Sequence, residues 1–192
     1  MKLIEPNRFG DERGWFAETY HQARYADVGV EVAFCQDNLA FSRQSLVLRG
    51  LHFQRPPQAQ AKLVQCVRGR IWDVGVDIRL GSPTFGNWQA AELSADNALQ
   101  MFVPVGFAHG YLTLEPDSMV AYKVSDYYAP ECEGGLAWND PDVAIDWPLQ
   151  AETPILSDKD RRLSDLAGFA SPFTYDGNPL APLTPTPPRL PR

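Results

Sequence analysis

Short runs of β-branched and apolar residues, cut by glycine and proline, set the pattern along this chain. Leu63 to Val67 and Ile71 to Ile78 read as strands, with Arg68-Gly69-Arg70 as a tight turn between them. Inside the second run, Asp73-Val74-Gly75-Val76-Asp77-Ile78 alternates polar or small against apolar, the period of a half-buried strand. Met101-Phe102-Val103 and Tyr111-Leu112-Thr113-Leu114 predict two more strands around a corner at Pro104-Val105-Gly106. Met119 to Val124 follows the turn at Glu115-Pro116-Asp117, and Gly81-Ser82-Pro83-Thr84 marks another turn. Helical signal is sparse, with Gln22 to Val28 and Ser157 to Ala167 as the two candidates. Strands at this spacing favour a β-barrel or sandwich over any βαβ arrangement.

Composition changes the picture mainly by exclusion. A chain of 192 residues with 44% hydrophobic and 21% charged residues is ordinary globular material, large enough for one sizeable core. The expected organisation is a single domain over 1–177 and a tail over 178–192. That tail holds six prolines, so it should run extended and poorly packed. A net charge of −7 argues against a broad nucleic-acid-binding face, although a few arginines could still hold a small anion. No apolar run approaches the roughly 20 residues that cross a bilayer. The N-terminal stretch from Met1 to Gly14 has no signal-peptide core. Cys35, Cys66 and Cys132 are odd in number and lack metal-type spacing, so a cytoplasmic location is expected.

The chemically loaded segment is Arg49-Gly50-Leu51-His52-Phe53-Gln54, followed ten residues after the histidine by Lys62. Imidazole is suited to taking up and returning a proton near neutrality. Arg49 and Lys62 could steady a developing anion or an acidic substrate. Taken alone, this stretch fits a hydrogen-bonding histidine in a sheet equally well. A second segment, Pro104-Val105-Gly106-Phe107-Ala108-His109-Gly110, resembles the Pro-x-Gly-x-x-His turn of cupin barrels. Metal-binding cupins usually add a His-x-His pair and a following glutamate. Here that pair reads His52-Phe53-Gln54 and no obvious glutamate follows, so no metal is expected.

An ordered set of further pieces carries a more specific resemblance. It runs from Asp11-Glu12-Arg13-Gly14-Trp15-Phe16-Ala17-Glu18 through Gln36-Asp37-Asn38, Leu48 to Gln54 and Lys62-Leu63-Val64. It continues with Asp73 to Arg79, Ser82 to Gly86, Gly106 to Gly110, Tyr122-Lys123 and Tyr127 to Pro130. Trp138-Asn139-Asp140-Pro141 and Leu156 to Asp160 close the series. Over about residues 3 to 165 the chain resembles the dTDP-4-dehydrorhamnose 3,5-epimerases of the cupin superfamily.

That resemblance implies a cupin-type double-stranded β-helix (jelly-roll) barrel, mainly β with a few short helices. It also implies an isomerase that epimerises dTDP-4-keto-6-deoxy-D-glucose at C3 and C5 to dTDP-4-keto-L-rhamnose, in dTDP-L-rhamnose biosynthesis for surface polysaccharide. The C4 ketone acidifies both neighbouring C–H bonds, so neither metal nor redox cofactor is needed if the enolate oxygen meets fixed positive charge. His52 would be the base, Asp160 its dyad partner, Lys62 the enolate stabiliser and Tyr122 the acid on the opposite face. His109 would hold substrate position and Arg49 the diphosphate, with Gln36 and Asn38 beside it. Arg13, Phe16 and Glu18 would cross to a neighbouring subunit in a homodimer and complete its site, Phe16 stacking on thymine. Taken bare, Arg13 and Glu18 read instead as a solvated pair on an edge strand. A mono-epimerase acting at C3 or C5 alone, and a silent sugar-nucleotide-binding cupin, are the other readings; retention of His52, Lys62, Tyr122 and Asp160 together speaks against the binder.

Overall fold

The computed structural model describes residues 1–189. The first elements are β1 (Lys2–Ile4), β2 (Arg8–Asp11), β3 (Gly14–Ala17) and the single-turn α1 (Gln22–Ala26). Then come β4 (Gln36–Ser42), β5 (Leu48–Gln54), β6 (Lys62–Arg68), β7 (Arg70–Asp77) and β8 (Trp88–Ser94). β9 (Gln100–Val103), β10 (Phe107–Thr113), β11 (Ser118–Val124), β12 (Glu133–Gly135) and β13 (Pro185–Thr186) complete the series. One sheet has the order β13-β1-β9-β6-β11-β4 and a second the order β12-β5-β10-β7-β8; β2 and β3 pair only with each other. The turn at Gly69, where φ is +75°, carries the chain from the first sheet into the second rather than closing a two-stranded ladder.

The two sheets face each other across a shared interior. Val64, Met101 and Val120 from the first meet Ile71, Leu93 and Phe107 from the second. The outer face of the second sheet is covered as well. Leu48, Val74, Val76, Ala108 and Leu112 pack there against Leu136, Val143, Trp147 and Phe173 of the C-terminal segment. This overturns the half-buried reading of β7. Asp73, Val74, Gly75, Val76 and Asp77 are all buried, so the alternation separates polar or small positions turned into the barrel from apolar ones turned to the covered outer layer.

Two other expectations need correction. The Ser157 to Ala167 helix is absent; that stretch forms only 3₁₀ turns at Asp160–Arg162 and Leu166–Gly168. Polar partners draw its backbone away from a helical ladder: Ser157 Oγ accepts from the Asp160 amide at 3.1 Å, and the Ala137 amide donates to Ser164 O at 3.0 Å. The first predicted helix, Gln22 to Val28, ends at Ala26.

The proline-rich segment is extended, but it is tied down rather than loose. β13 lies parallel to β1 with Leu3 beside Pro185, and the Glu5 amide donates to Thr186 O at 3.2 Å. Leu180 and Leu183 rest on the core. Residues 190–192 lie outside the described region. Arg79 anchors the approach to this segment: buried between the rings of Phe107 and Tyr175, it pairs with Asp77 at 2.8 Å and Asp176 at 2.7 Å.

Candidate active site

The polar interior of the barrel is a cleft with two connected lobes. One, about 460 Å³, is lined by Arg49, His52, Lys62, His109, Tyr111, Tyr122 and Asp160 among others. The other, about 310 Å³, adds Gln36 and Asn38, and His52, Lys62 and Tyr122 line both. Strand irregularity makes this grouping possible. Arg49 and His52 are an odd number of residues apart and would sit on opposite faces of a regular strand. The β5–β10 ladder pairs His52 with His109 and Arg49 with Tyr111, so three steps on β5 face two on β10. Gly50 absorbs the shift at φ +124°, where a Cβ would stand 2.6 Å from Gly110 Cα.

His52 Nε2 lies 2.6 Å from Asp160 Oδ1, across 108 residues of sequence. Asp160 is buried, which alone would raise its carboxyl. The hydrogen bond from His52, the His52 charge, Ser157 and Lys159 outweigh burial and hold it below the usual carboxylate range. An ionised carboxylate only accepts, so Nε2 carries the proton and Nδ1 is the basic nitrogen.

Lys62 donates from Nζ to His52 O at 3.3 Å. Burial lowers its ammonium to about 8, opposed by Asp73 and Glu133 and reinforced by Lys159. Burial likewise raises the Tyr122 phenol above its usual value, with Arg49 opposing, so Tyr122 keeps its proton at neutral pH. His109 donates from Nε2 to Asp73 Oδ1 at 2.8 Å. Burial lowers its imidazole despite the Asp73 charge, leaving it neutral near pH 7.

Arg49 Nη2 donates to Phe41 O at 3.1 Å, which fixes the guanidinium at the cleft mouth. Gln36 Nε2 donates to Asn38 Oδ1 at 2.8 Å on the adjoining wall. Gln54 is committed elsewhere, bonding Gln58 O, Tyr127 O and the Ala129 amide. Among the described residues, no group of three or more His, Cys, Asp or Glu is arranged to hold a metal ion.

The chain does not bring Arg13, Phe16 and Glu18 into this cleft. They belong to the β2–β3 hairpin and its exit. Arg13 pairs there with Asp11 at 2.5 Å, and Glu18 pairs not with Arg13 but with Arg24, at 2.6 Å. Phe16 is 69% exposed and Trp15 58%. Sequence reading also passed over Asp73, Tyr111, Ser157 and Lys159. The signal for Asp73 was its place in the β7 alternation, which is legible only once the outer face is known to be covered.

The model of the dTDP-4-dehydrorhamnose 3,5-epimerase family matches residues 1–168. The chain belongs to that family. The family model ends before the segment that returns to β1. The dTDP-4-dehydrorhamnose 3,5-epimerase of Sinorhizobium fredii is 46% identical over 91% of this chain and 89% of its own length. Two solved structures agree in fold. The dTDP-6-deoxy-D-glucose-3,5-epimerase of Legionella pneumophila, in complex with dTDP-4-keto-L-rhamnose, superposes with a TM-score of 0.86 at 46% identity, covering 91% of this chain and 93% of that one. The Bacillus anthracis dTDP-4-dehydrorhamnose 3,5-epimerase, with TDP and PPi bound, gives 0.83 at 50% identity, covering 85% and 93%. The two-sheet architecture is therefore a cupin-type barrel, and the chain is an isomerase of this family. Among the described residues no helix is long and apolar enough to cross a membrane.

Proposed function

We propose that the cleft epimerises dTDP-4-keto-6-deoxy-D-glucose at C3 and C5 to dTDP-4-keto-L-rhamnose. The observation that carries this reading is the 2.6 Å His52–Asp160 dyad sharing one cleft with Lys62 and Tyr122. His52 Nδ1 takes the proton from the carbon beside the C4 ketone, and the electron pair moves onto O4 as an enolate. The Lys62 ammonium faces that oxygen, in a cleft where fixed charge counts for more than in water. Tyr122 returns a proton to the opposite face of the same carbon and is reprotonated from solvent, while His52 releases the proton it took. Net change is inversion at one carbon, repeated at the other. Arg49, Gln36, Asn38 and His109 hold the nucleotide and sugar.

The enzyme works as a homodimer in which Arg13, Phe16 and Glu18 of one copy close the cleft of the other. Three features support this. The hairpin pairs with neither barrel sheet. Its aromatic residues are exposed, and Leu39, Phe41 and Val67 leave an apolar outer face on the first sheet. A groove of about 580 Å³ runs between Trp15 and that face. The free thiols of Cys35, Cys66 and Cys132 fit a reducing, cytoplasmic setting.

The test is turnover of the 4-keto sugar nucleotide in heavy water, read by mass and NMR. Deuterium should enter at both C3 and C5 with inverted product. His52→Ala should lose exchange by about 10²–10⁴-fold. Tyr122→Phe should impair completed inversion more than initial exchange. Equal loss of both in the two variants, or no exchange by wild-type protein that still binds the nucleotide, overturns the assignment.

A further inference from the structure

Asp73 is fully buried on β7, yet it is half-used. Its Oδ1 accepts from His109 Nε2 at 2.8 Å, while Oδ2 has no hydrogen-bond partner. An unpaired buried carboxylate oxygen is costly and rarely kept without a reason. The hydrogen-bond partner of Asp73, His109, lines the same cleft as Lys62. Lys62 Nζ meets the carbonyl of His52 on β5, and the cleft brings His109 and Tyr111 from β10, Tyr122 from β11, Arg49 from β5 and Lys159 from the far wall around it. Three carboxylates act in this neighbourhood. Asp160 is held by His52. Glu133 on β12 is engaged by Lys159 and by the Tyr128 hydroxyl. Asp73 differs from both: its one partner is an imidazole kept neutral by burial, and its second oxygen is buried with no partner at all.

We propose that Asp73 is the buried counter-charge of Lys62, a positioning residue that keeps the ammonium in its acid form for the enolate oxygen while itself touching no substrate. This rests on the Lys62 role given above. The arrangement follows from register: Asp73 lies opposite Tyr111 on β10, on the face of β7 turned toward the cleft. An ammonium stripped of water by burial sheds its proton more readily, and an opposite charge nearby resists that loss. Of the charges that resist it for Lys62, Asp73 is the foremost. The sign is fixed. Lys62 is protonated below about pH 8, so activity that needs the ammonium is present below that pH and lost above it. Removing Asp73 moves that loss to lower pH.

The experiment is the pH dependence of kcat for wild type, Asp73→Asn and Asp73→Glu. Asparagine keeps an oxygen for the His109 N–H but removes the charge. Its alkaline limb should move down by about one unit or more, with kcat at pH 6 within severalfold of wild type. Asp73→Glu, which restores the charge, should keep the limb near its wild-type position. If Asp73→Asn does not fold, Asp73→Ser is the second uncharged variant and should show the same shift. A uniform fall in kcat with an unmoved limb overturns the proposal and leaves Asp73 a structural residue. Residual activity of Lys62→Met separates the two failures. If the limb survives in that variant, it does not belong to Lys62, and the Lys62 role fails instead.

Discussion

In the cleft around His52, the chain provides partners for its own chemistry: Asp160 for the imidazole, Phe41 O for Arg49, Asp73 for His109. In the β2–β3 hairpin it pairs only the charges, Arg13 with Asp11, and leaves the aromatic side chains largely exposed. Phe16 and Trp15 project into solvent, and the ladder between the two strands stops at its own edges. An exposed aromatic pair on an isolated two-stranded ribbon is poorly stabilised by itself, because such ribbons are marginal in water. Under the function proposed above, the contrast separates two tasks. Proton transfer demands positions fixed to fractions of an ångström, which packed strands supply. Grip on the nucleotide tolerates a partner that arrives by association.

The largest effect should come from within the cleft. Lys62→Met keeps the side-chain volume and removes the charge, so kcat should fall about 10²–10³-fold while dTDP binding, read by calorimetry, stays near wild type. A matching loss of nucleotide affinity would blur the division, since it would make Lys62 a binding residue first. A smaller effect is expected from the hairpin. Arg13→Ala with Phe16→Ala should weaken dTDP binding by about 10- to 100-fold, the scale of one lost base–aromatic stack. The pH dependence of kcat should be unchanged, as Asp160, Lys62 and Tyr122 are untouched. A fall in kcat at saturating substrate with unchanged affinity would place the hairpin in the chemistry instead.

How much of this was legible in the sequence depended on whether a pattern was local. β6, β7, β9 and β11 stand within one residue of the runs that predicted them. β10 instead begins at Phe107, four residues before Tyr111, so that His109, read as part of a turn, lies in the strand. Burial was harder. The β7 alternation has the right period, but which face met water depended on a C-terminal segment 60 or more residues away in sequence, Leu136 to Phe173. The failed helix at Ser157 to Ala167 has a side-chain cause. Ser157 and Asp140 each capture a backbone amide, and Asp160 turns inward to His52. The proline tail was read from what proline cannot donate. What it overlooked is that an edge strand needs only a carbonyl to accept, and Thr186 O provides it to Glu5.

The site divides in the same way. His52, Arg49 and Lys62 announced themselves by proximity in the chain. Asp160 lies 108 residues from His52 and no periodicity links them, so family resemblance alone pointed to it. Asp73 escaped because a carboxylate at an alternate strand position looks like a solvated one until the barrel closes over it.

The division of labour between cleft and hairpin is tested most directly by complementation. His52→Ala lacks the proposed base but keeps its hairpin; Arg13→Ala/Phe16→Ala keeps that base but lacks the proposed clamp. When the two are coexpressed with different tags and the heterodimer is allowed to form, one of its two sites should be intact. At sub-saturating substrate an equal mixture should then recover about a quarter of wild-type activity, from half the dimers each having one working site. Activity no higher than the average of the two parent variants, in a preparation where the heterodimer is shown by mass, would contradict the exchange of hairpins between subunits.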